Sequence, residues 1–243
     1  MNIKVISMET SNERRKNFIN LNKHIKFDFF NAVDGNQFTQ EFIASTNLFE
    51  KGLPYTAGAY GCALSHLILW DEAINLDKVI TIAEDDAIFR FDFENLYKKK
   101  LNSLPPDWDI VLWGWNFDSI LSLNVMPNIS PVVMVFNQDQ LRNSIKEFQE
   151  FAEDTTLLRL DKCFGTICYS ISPSGAAKFK SLCLPMSNFL LFFPLLNRQL
   201  PNNGIDIAMN KIYQATNSYV AFPPLVITKN DHTITTIQNP QSN

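Results

Sequence analysis

The sequence predicts an α/β fold, an open and mostly parallel sheet flanked by helices. Three observations carry that expectation. Residues 79–83, VITIA, form a short apolar run rich in β-branched residues, the composition of a strand buried on both faces. Similar runs at 3–8, 26–30 and 109–114 alternate with helix-like stretches, the pattern of strands joined by helical crossovers. The chain has 243 residues, 46% of them hydrophobic, enough for a sizeable core in one large domain or two small ones.

In chain order, residues 3–8 are the first strand. Thr10 followed three positions later by Glu13 has the pattern of a capping box, so a helix starts here. Arg14 and Arg15 fall in its first turn, where the helix dipole disfavours cations. Either they face an anion (Glu13 or a ligand phosphate) or they are a solvated surface pair. Residues 26–30, KFDFF, are the second strand and run into Asn31, Ala32, Val33, Asp34 and Gly35. Asp-Gly is a turn signal; at the end of a second parallel strand Asp34 could equally accept from a ribose hydroxyl.

Residues 60–76 read as one helix opened by Gly58 and Gly61, small residues that let a ligand or another backbone approach. Ser65 and His66 stand mid-helix near Cys62. His66 has no neighbouring His or Asp to complete a triad, so a hydrogen-bonded structural role leads a catalytic one. The strand at 79–83 then runs straight into Glu84, Asp85 and Asp86. Three acids at the carboxyl end of a strand repel unless a cation or donor-rich ligand neutralises them. Glu84 and Asp86 point the same way in extended chain, with Asp85 opposite. Such paired oxygen ligands suit Mg²⁺ or Mn²⁺ on a diphosphate; the plain alternative is a solvated acidic turn.

Residues 91–101 read as a helix with Lys98, Lys99 and Lys100 at its favourable end, broken at Pro105 and Pro106. The stretch 117–162 is less regular. It holds an edge strand at 131–136 and a polar segment at 138–153, helical or a mobile loop, and serves either as a lid or as an ordinary excursion. Residues 163–172 read as a strand, after which Ser172 and Pro173 make an N-cap and first helical position. Residues 205–213 read as a helix with Asp206 in the first turn, a dipole partner or a catalytic base near a sugar hydroxyl. Residues 221–226 are extended and lead to a polar tail with Asp231 and His232. Residues 189–196, FLLFFPLL, are core or a patch that docks on a membrane.

The net charge of −4 gives no case for nucleic acid. Cys62, Cys163, Cys168 and Cys183 lack CxxC spacing and fit reduced cysteines of a cytosolic protein. The sequence shows neither the apolar stretch of a signal peptide nor a run long enough to span a membrane.

These segments, in order, resemble glycosyltransferase family 25, the lipooligosaccharide galactosyltransferases and their collagen-modifying relatives. The resemblance rests on ISMETSNERRKNF, NAVDG at 31–35, GAYGCALSHLILW at 58–70, ITIAEDDAIF, LPPDWDIVLWG at 104–114, GTICYSISPSGAAKF, Ile205 with Asp206, and FPPLV at 222–226. Ala59 and Ile167 depart from it, standing where relatives often carry an acid and a His. The resemblance implies a GT-A-like sheet in one domain, with a nucleotide-sugar-binding half at 1–116 and an acceptor-side half at 117–243. It implies a UDP-hexose donor, UDP-galactose first and UDP-glucose as the alternative, and inversion at the anomeric carbon. The acceptor it implies is a lipooligosaccharide or lipopolysaccharide core sugar at the cytoplasmic face of the inner membrane. A catalytically silent sugar-nucleotide binder would keep the same fold. Glu84 and Asp86 are the expected Mn²⁺ (or Mg²⁺) ligands, with His232 as a further one. Ser11, Arg14, Arg15, Asp34, Gly61, Ser65, His66 and Glu84 are the expected donor-binding residues. Asp206 is the expected base, with Asp85 and Asp161 as alternatives.

Overall fold

The structure, a computed structural model, describes residues 1–193, 195 and 197–229. The chain runs β1 (Ile3–Ser7), α1 (Asn12–Leu21), β2 (Asp28–Asn31), α2 (Gln40–Ser45), α3 (Ala57–Leu76), β3 (Ile80–Glu84), β4 (Ala87–Phe89) and α4 (Phe93–Leu101). There follow β5 (Ile110–Gly114), β6 (Ile120–Met126), β7 (Ser130–Val135), α5 (Gln138–Asn143), α6 (Ile145–Glu150), β8 (Thr156–Cys163), β9 (Cys168–Ile171) and α7 (Pro173–Cys183). The described residues end with β10 (Leu190–Phe193), β11 (Arg198–Pro201), α8 (Ile205–Asn210), β12 (Ser218–Phe222) and β13 (Val226–Thr228).

Nine strands form one sheet in the order β2-β1-β3-β9-β5-β12-β8-β6-β7. β1 is parallel to both β2 and β3, and β5 is parallel to β12. β9 lies between the two groups and opposes both β3 and β5. Five of these six strands therefore share one direction, so the α/β sheet expected from sequence is present with a reversed strand at its centre, and β8, β6 and β7 extend it beyond β12 by antiparallel pairing. That reversal positions the site. It sets the start of β9, Cys168, beside Ala83 and Gly114 at the carboxyl ends of β3 and β5. It also places residues from both halves of the chain in one sheet.

Strand alternation divides the core. Ile110 and Leu112 of β5 join the face covered by α3 and α7, whereas Val111 and Trp113 join the face covered by α4 and the ribbon of β4 with β13. α3 starts at Ala57, ahead of the expected Tyr60, because Thr56 Oγ1 accepts from the Ala59 amide at 3.1 Å. α7 starts as expected, with Ser172 Oγ accepting from the Gly175 amide at 2.9 Å.

Other expectations need correction. The capping box at Thr10 and Glu13 does not form; Ser11 is the N-cap of α1 and makes no side-chain cap bond. The run at 163–172 is not one strand. It breaks at Gly165, whose φ of +80° is left-handed, and the Asn116 amide fills the space where a Cβ would lie. The second strand starts at Asp28 rather than Lys26, and the helix expected at 205–213 ends at Asn210. The irregular stretch is ordered: β7 is the expected edge strand, and the segment 138–153 contains α5 and α6. Gln149 Nε2 anchors that segment by donating to the carbonyls of Leu21 and Phe89, and Arg90 donates to the Glu153 carbonyl.

Candidate active site

β3 ends at Glu84, the chain turns through Asp85 and Asp86, and β4 begins at Ala87. Each carboxylate takes one hydroxyl from a different part of the chain. Thr166 Oγ1 donates to Glu84 Oε1 at 2.6 Å, Ser7 Oγ to Asp85 Oδ2 at 2.7 Å, and Thr228 Oγ1 to Asp86 Oδ2 at 2.9 Å. Arg14 forms an ion pair with Asp85 Oδ1. That pair neutralises Asp85 and leaves Glu84 and Asp86 short of positive charge. Burial, then the charge of Asp86, pushes Glu84 up to about 7. Burial also raises Asp86, against the pull of Arg14 and Thr228.

Asp86 Oδ1 is buried and has no hydrogen-bond partner among the described residues. A buried carboxylate oxygen without a donor is costly and is retained where a ligand satisfies it. Two half-buried carboxylates with raised pKa values and one open oxygen fit a hard divalent cation. Among the described residues no group of three His, Cys, Asp or Glu converges on one point. The expected third ligand, His232, lies outside the described residues.

Residues 164–167 knit this acidic end to the rest of the site. The Asn116 amide donates to the Phe164 carbonyl at 2.9 Å, and the Gly165 amide donates to Asp206 Oδ2 at 3.1 Å. Thr166 holds Glu84 by its hydroxyl, and the Glu84 amide donates to the Ile167 carbonyl at 2.9 Å. Asp206, in the first turn of α8, also accepts from the Ile207 amide at 2.9 Å. Burial raises the Asp206 carboxyl, and these backbone donors oppose the rise. Asp206 thus combines a fixed orientation with a pKa above that of an ordinary Asp, both suited to a general base.

The profile of glycosyltransferase family 25 (LPS biosynthesis protein) matches residues 1–188. The chain belongs to glycosyltransferase family 25. It is 26% identical to procollagen galactosyltransferase 2 of Mus musculus, over 92% of this chain and 34% of the relative, with the same values for the Homo sapiens protein. A glycosyltransferase 25 family member of Aedes aegypti is 28% identical over 46% of this chain and 21% of its own length. The chain thus spans a fifth to a third of the length of these curated relatives. Among solved structures, A197 from STIV overlaps at a TM-score of 0.38 with 12% identity, covering 98% of each chain. The galactosyltransferase LgtC, solved with donor and acceptor sugar analogues, overlaps at 0.38 with 12% identity, covering 88% of this chain and 70% of its own. Overlaps at that level assign no chemistry to individual residues.

Within this family 25 chain the sequence-predicted residues separate into two groups. Glu84, Asp85, Asp86, Arg14 and Asp206 gather around the carboxyl end of β3 and the turn at 164–167. Gly61, Ser65 and His66 are buried on α3 and make contacts within the fold. A Cβ on Gly61 would lie 2.3 Å from the Val33 carbonyl oxygen, so the glycine seats the loop after β2 against α3. Ser65 Oγ accepts from the Val33 amide at 2.9 Å and donates to the Gly61 carbonyl at 2.8 Å. His66 is fully buried, its Nδ1 2.7 Å from the Tyr169 hydroxyl, and burial pushes it down to about 3. Its other ring nitrogen, Nε2, is buried without a hydrogen-bond partner among the described residues.

Arg15 also turns inward. Its guanidinium donates to the Ser7 carbonyl at 2.9 Å and Asn31 Oδ1 at 2.6 Å, and lies over the Phe29 ring. It ties β1 to β2. Asp34 makes the expected turn, its Oδ1 accepting from the Asn36 amide at 3.0 Å. Ser11 stands at the start of α1, three residues before Arg14. The hydroxyls of Ser7, Thr166 and Thr228 escaped sequence reasoning. Ser7 and Thr166 both lie in segments matched to the family, whereas Thr228 carries no local signal.

Proposed function

We propose that this chain is an inverting hexosyltransferase that moves galactose from UDP-galactose to a core sugar of lipooligosaccharide or lipopolysaccharide. The observation that carries the reading is the half-buried carboxylate pair of Glu84 and Asp86, under-neutralised and with one open oxygen on Asp86. Membership of family 25 and likeness to procollagen galactosyltransferases support glycosyl transfer and galactose as its cargo. In this reading residues 1–116 form a GT-A-like donor half and residues 117–243 the acceptor side.

Glu84 and Asp86 would hold Mn²⁺ or Mg²⁺, which supplies neutralising charge for the departing diphosphate. Arg14, oriented by Asp85, adds a second positive group at the same end of the sheet. Asp85 is then a positioning residue and not the base. Ser11 and Asp34 stand at the N-terminus of α1 and the turn after β2, on the side assigned to the donor. Asp206 takes the proton of the acceptor hydroxyl as that oxygen bonds to the anomeric carbon and the bond to UDP breaks, inverting that carbon. The gain comes from a base already oriented by two backbone amides. A lipid-linked acceptor puts the reaction at the cytoplasmic face of the inner membrane; no described helix is long and apolar enough to cross a membrane.

Incubation with UDP-hexoses, Mn²⁺ and a truncated core acceptor tests the reading. Donor-dependent UDP release with transfer, strongest for UDP-galactose, is expected. No release from any UDP-hexose overturns it, and UDP binding without turnover identifies a silent binder. Asp86→Ala should abolish Mn²⁺-dependent UDP binding in calorimetry; unchanged binding puts the cation elsewhere.

A further inference from the structure

Beside the site, two hairpins carry a largely apolar surface, free of carboxylates, for which the chemistry of transfer has no use. β10 and β11 pair with each other, outside the main sheet. Leu191 and Phe193 face inward and pack with Ile120 of β6 and Ile207, the neighbour of Asp206. Strand alternation then points Leu190 and Phe192 outward, where they are 60% and 47% exposed, and Leu195 beyond them is 59% exposed. Val133 of β7 joins the same inner cluster, so the hairpin of β6 with β7 lies against the first. It leaves Ile129 81% and Val135 77% exposed.

The charge pattern says what such a surface meets. Between Lys180 and Asp206 the only charged side chain is Arg198, and between Asp118 and Asp139 there is none. The chain as a whole is 19% charged with an excess of acids, so both hairpins are stripped of carboxylates. Arg198 and the nearby Lys211 are exposed, and neither forms an ion pair among the described residues. Lys211 lies over the ring of Phe189, at the root of the first hairpin. Glu50 accepts from the Asn188 amide at 2.9 Å at the root of the first hairpin, but neither hairpin carries a carboxylate of its own. Large outward apolar side chains with the exposed cations of Arg198 and Lys211 match an anionic lipid surface, with rings and aliphatic groups at the acyl boundary and cations at the phosphates.

We infer that the paired hairpins, led by Leu190, Phe192 and Leu195, dock this protein on an anionic membrane and bring Asp206 to the lipid surface. The inference rests on the proposed lipid-linked acceptor for its purpose, but not for its physics. Flotation of the full chain with vesicles tests it. Binding to vesicles containing phosphatidylglycerol is expected, with little to pure phosphatidylcholine and weakening as salt rises. Leu190→Ser with Phe192→Ser should reduce binding at least tenfold, and Arg198→Glu several-fold, with melting temperature and UDP binding unchanged because these side chains face outward.

Absence of wild-type binding to the anionic vesicles overturns the inference, as does a double variant that floats like wild type. A concentration-dependent dimer in sedimentation that the double variant dissolves would assign the face to a second copy instead. Vesicle binding needs no turnover. A failure of the transferase reading would therefore appear in UDP release with docking intact, and a failure of docking would appear with UDP release intact.

Discussion

Asp161 and Asp86 are both carboxylates withdrawn from water, yet Asp161 accepts from three side chains and Asp86 from one. Ser122 Oγ donates to Asp161 Oδ2 at 2.6 Å, Lys162 Nζ sits 2.9 Å from Oδ1, and Gln214 Nε2 completes the set. Burial alone would raise Asp161, but these donors hold it below the usual carboxylate range. Glu84 and Asp86 have a single hydroxyl each, and both are raised. A saturated carboxylate belongs to the fold; one left short of donors is held for something that arrives. Asp206 is intermediate, with two backbone donors and a raised pKa. By the same contrast Asp161, an alternative base on sequence grounds, is a structural tie between β8, β6 and the turn after α8.

Three experiments would break or sharpen this contrast. The largest effect is expected at Asp206. Asp206→Asn should lower transfer by about 10²–10⁴ while UDP binding stays unchanged, the range for loss of a general base. Near-normal transfer would remove it from that role. Next is Asp161→Ala, which strands Lys162 and two donors and should cost roughly 2–4 kcal/mol in denaturant unfolding. UDP binding should survive, and a loss of UDP affinity without loss of stability would move Asp161 into the site.

The smallest effect is the pH dependence set by Glu84. Its carboxyl is at about 7 in the fold against a usual 4.5, so between these values the folded chain keeps a proton that the unfolded chain has released. Stability of the metal-free protein should fall as pH rises through that window, by on the order of 1–3 kcal/mol, and level off above about 7. Mn²⁺ should recover the loss, and Glu84→Gln should flatten the profile. A wild-type profile without that slope would mean that the acidic pair is already neutralised within the chain.

Much of the fold was readable from local pattern. The start of α7 follows from its capping Ser172 and Pro173, the helical character of α3 from apolar spacing, and the acids at the end of β3 are adjacent in sequence. These features depend on steric and hydrogen-bonding preferences of neighbouring residues, so the sequence by itself determined them. It also carried the family, which the profile match over residues 1–188 bears out.

Tertiary structure decided the rest, because it depends on which distant segments the sheet brings together. Thr166 reaches Glu84 across 82 positions, Ser7 reaches Asp85 across 78, and Thr228 reaches Asp86 across 142. The reversal of β9 placed the turn at 164–167 between Glu84 and Asp206, and no periodicity distinguishes a strand from its reverse. Packing sent His66 inward and Arg14 to Asp85, and it separated carboxylates of the same chemistry into a structural tie and a candidate site. That separation rests on how many donors surround each oxygen, a quantity that exists only once the chain has folded.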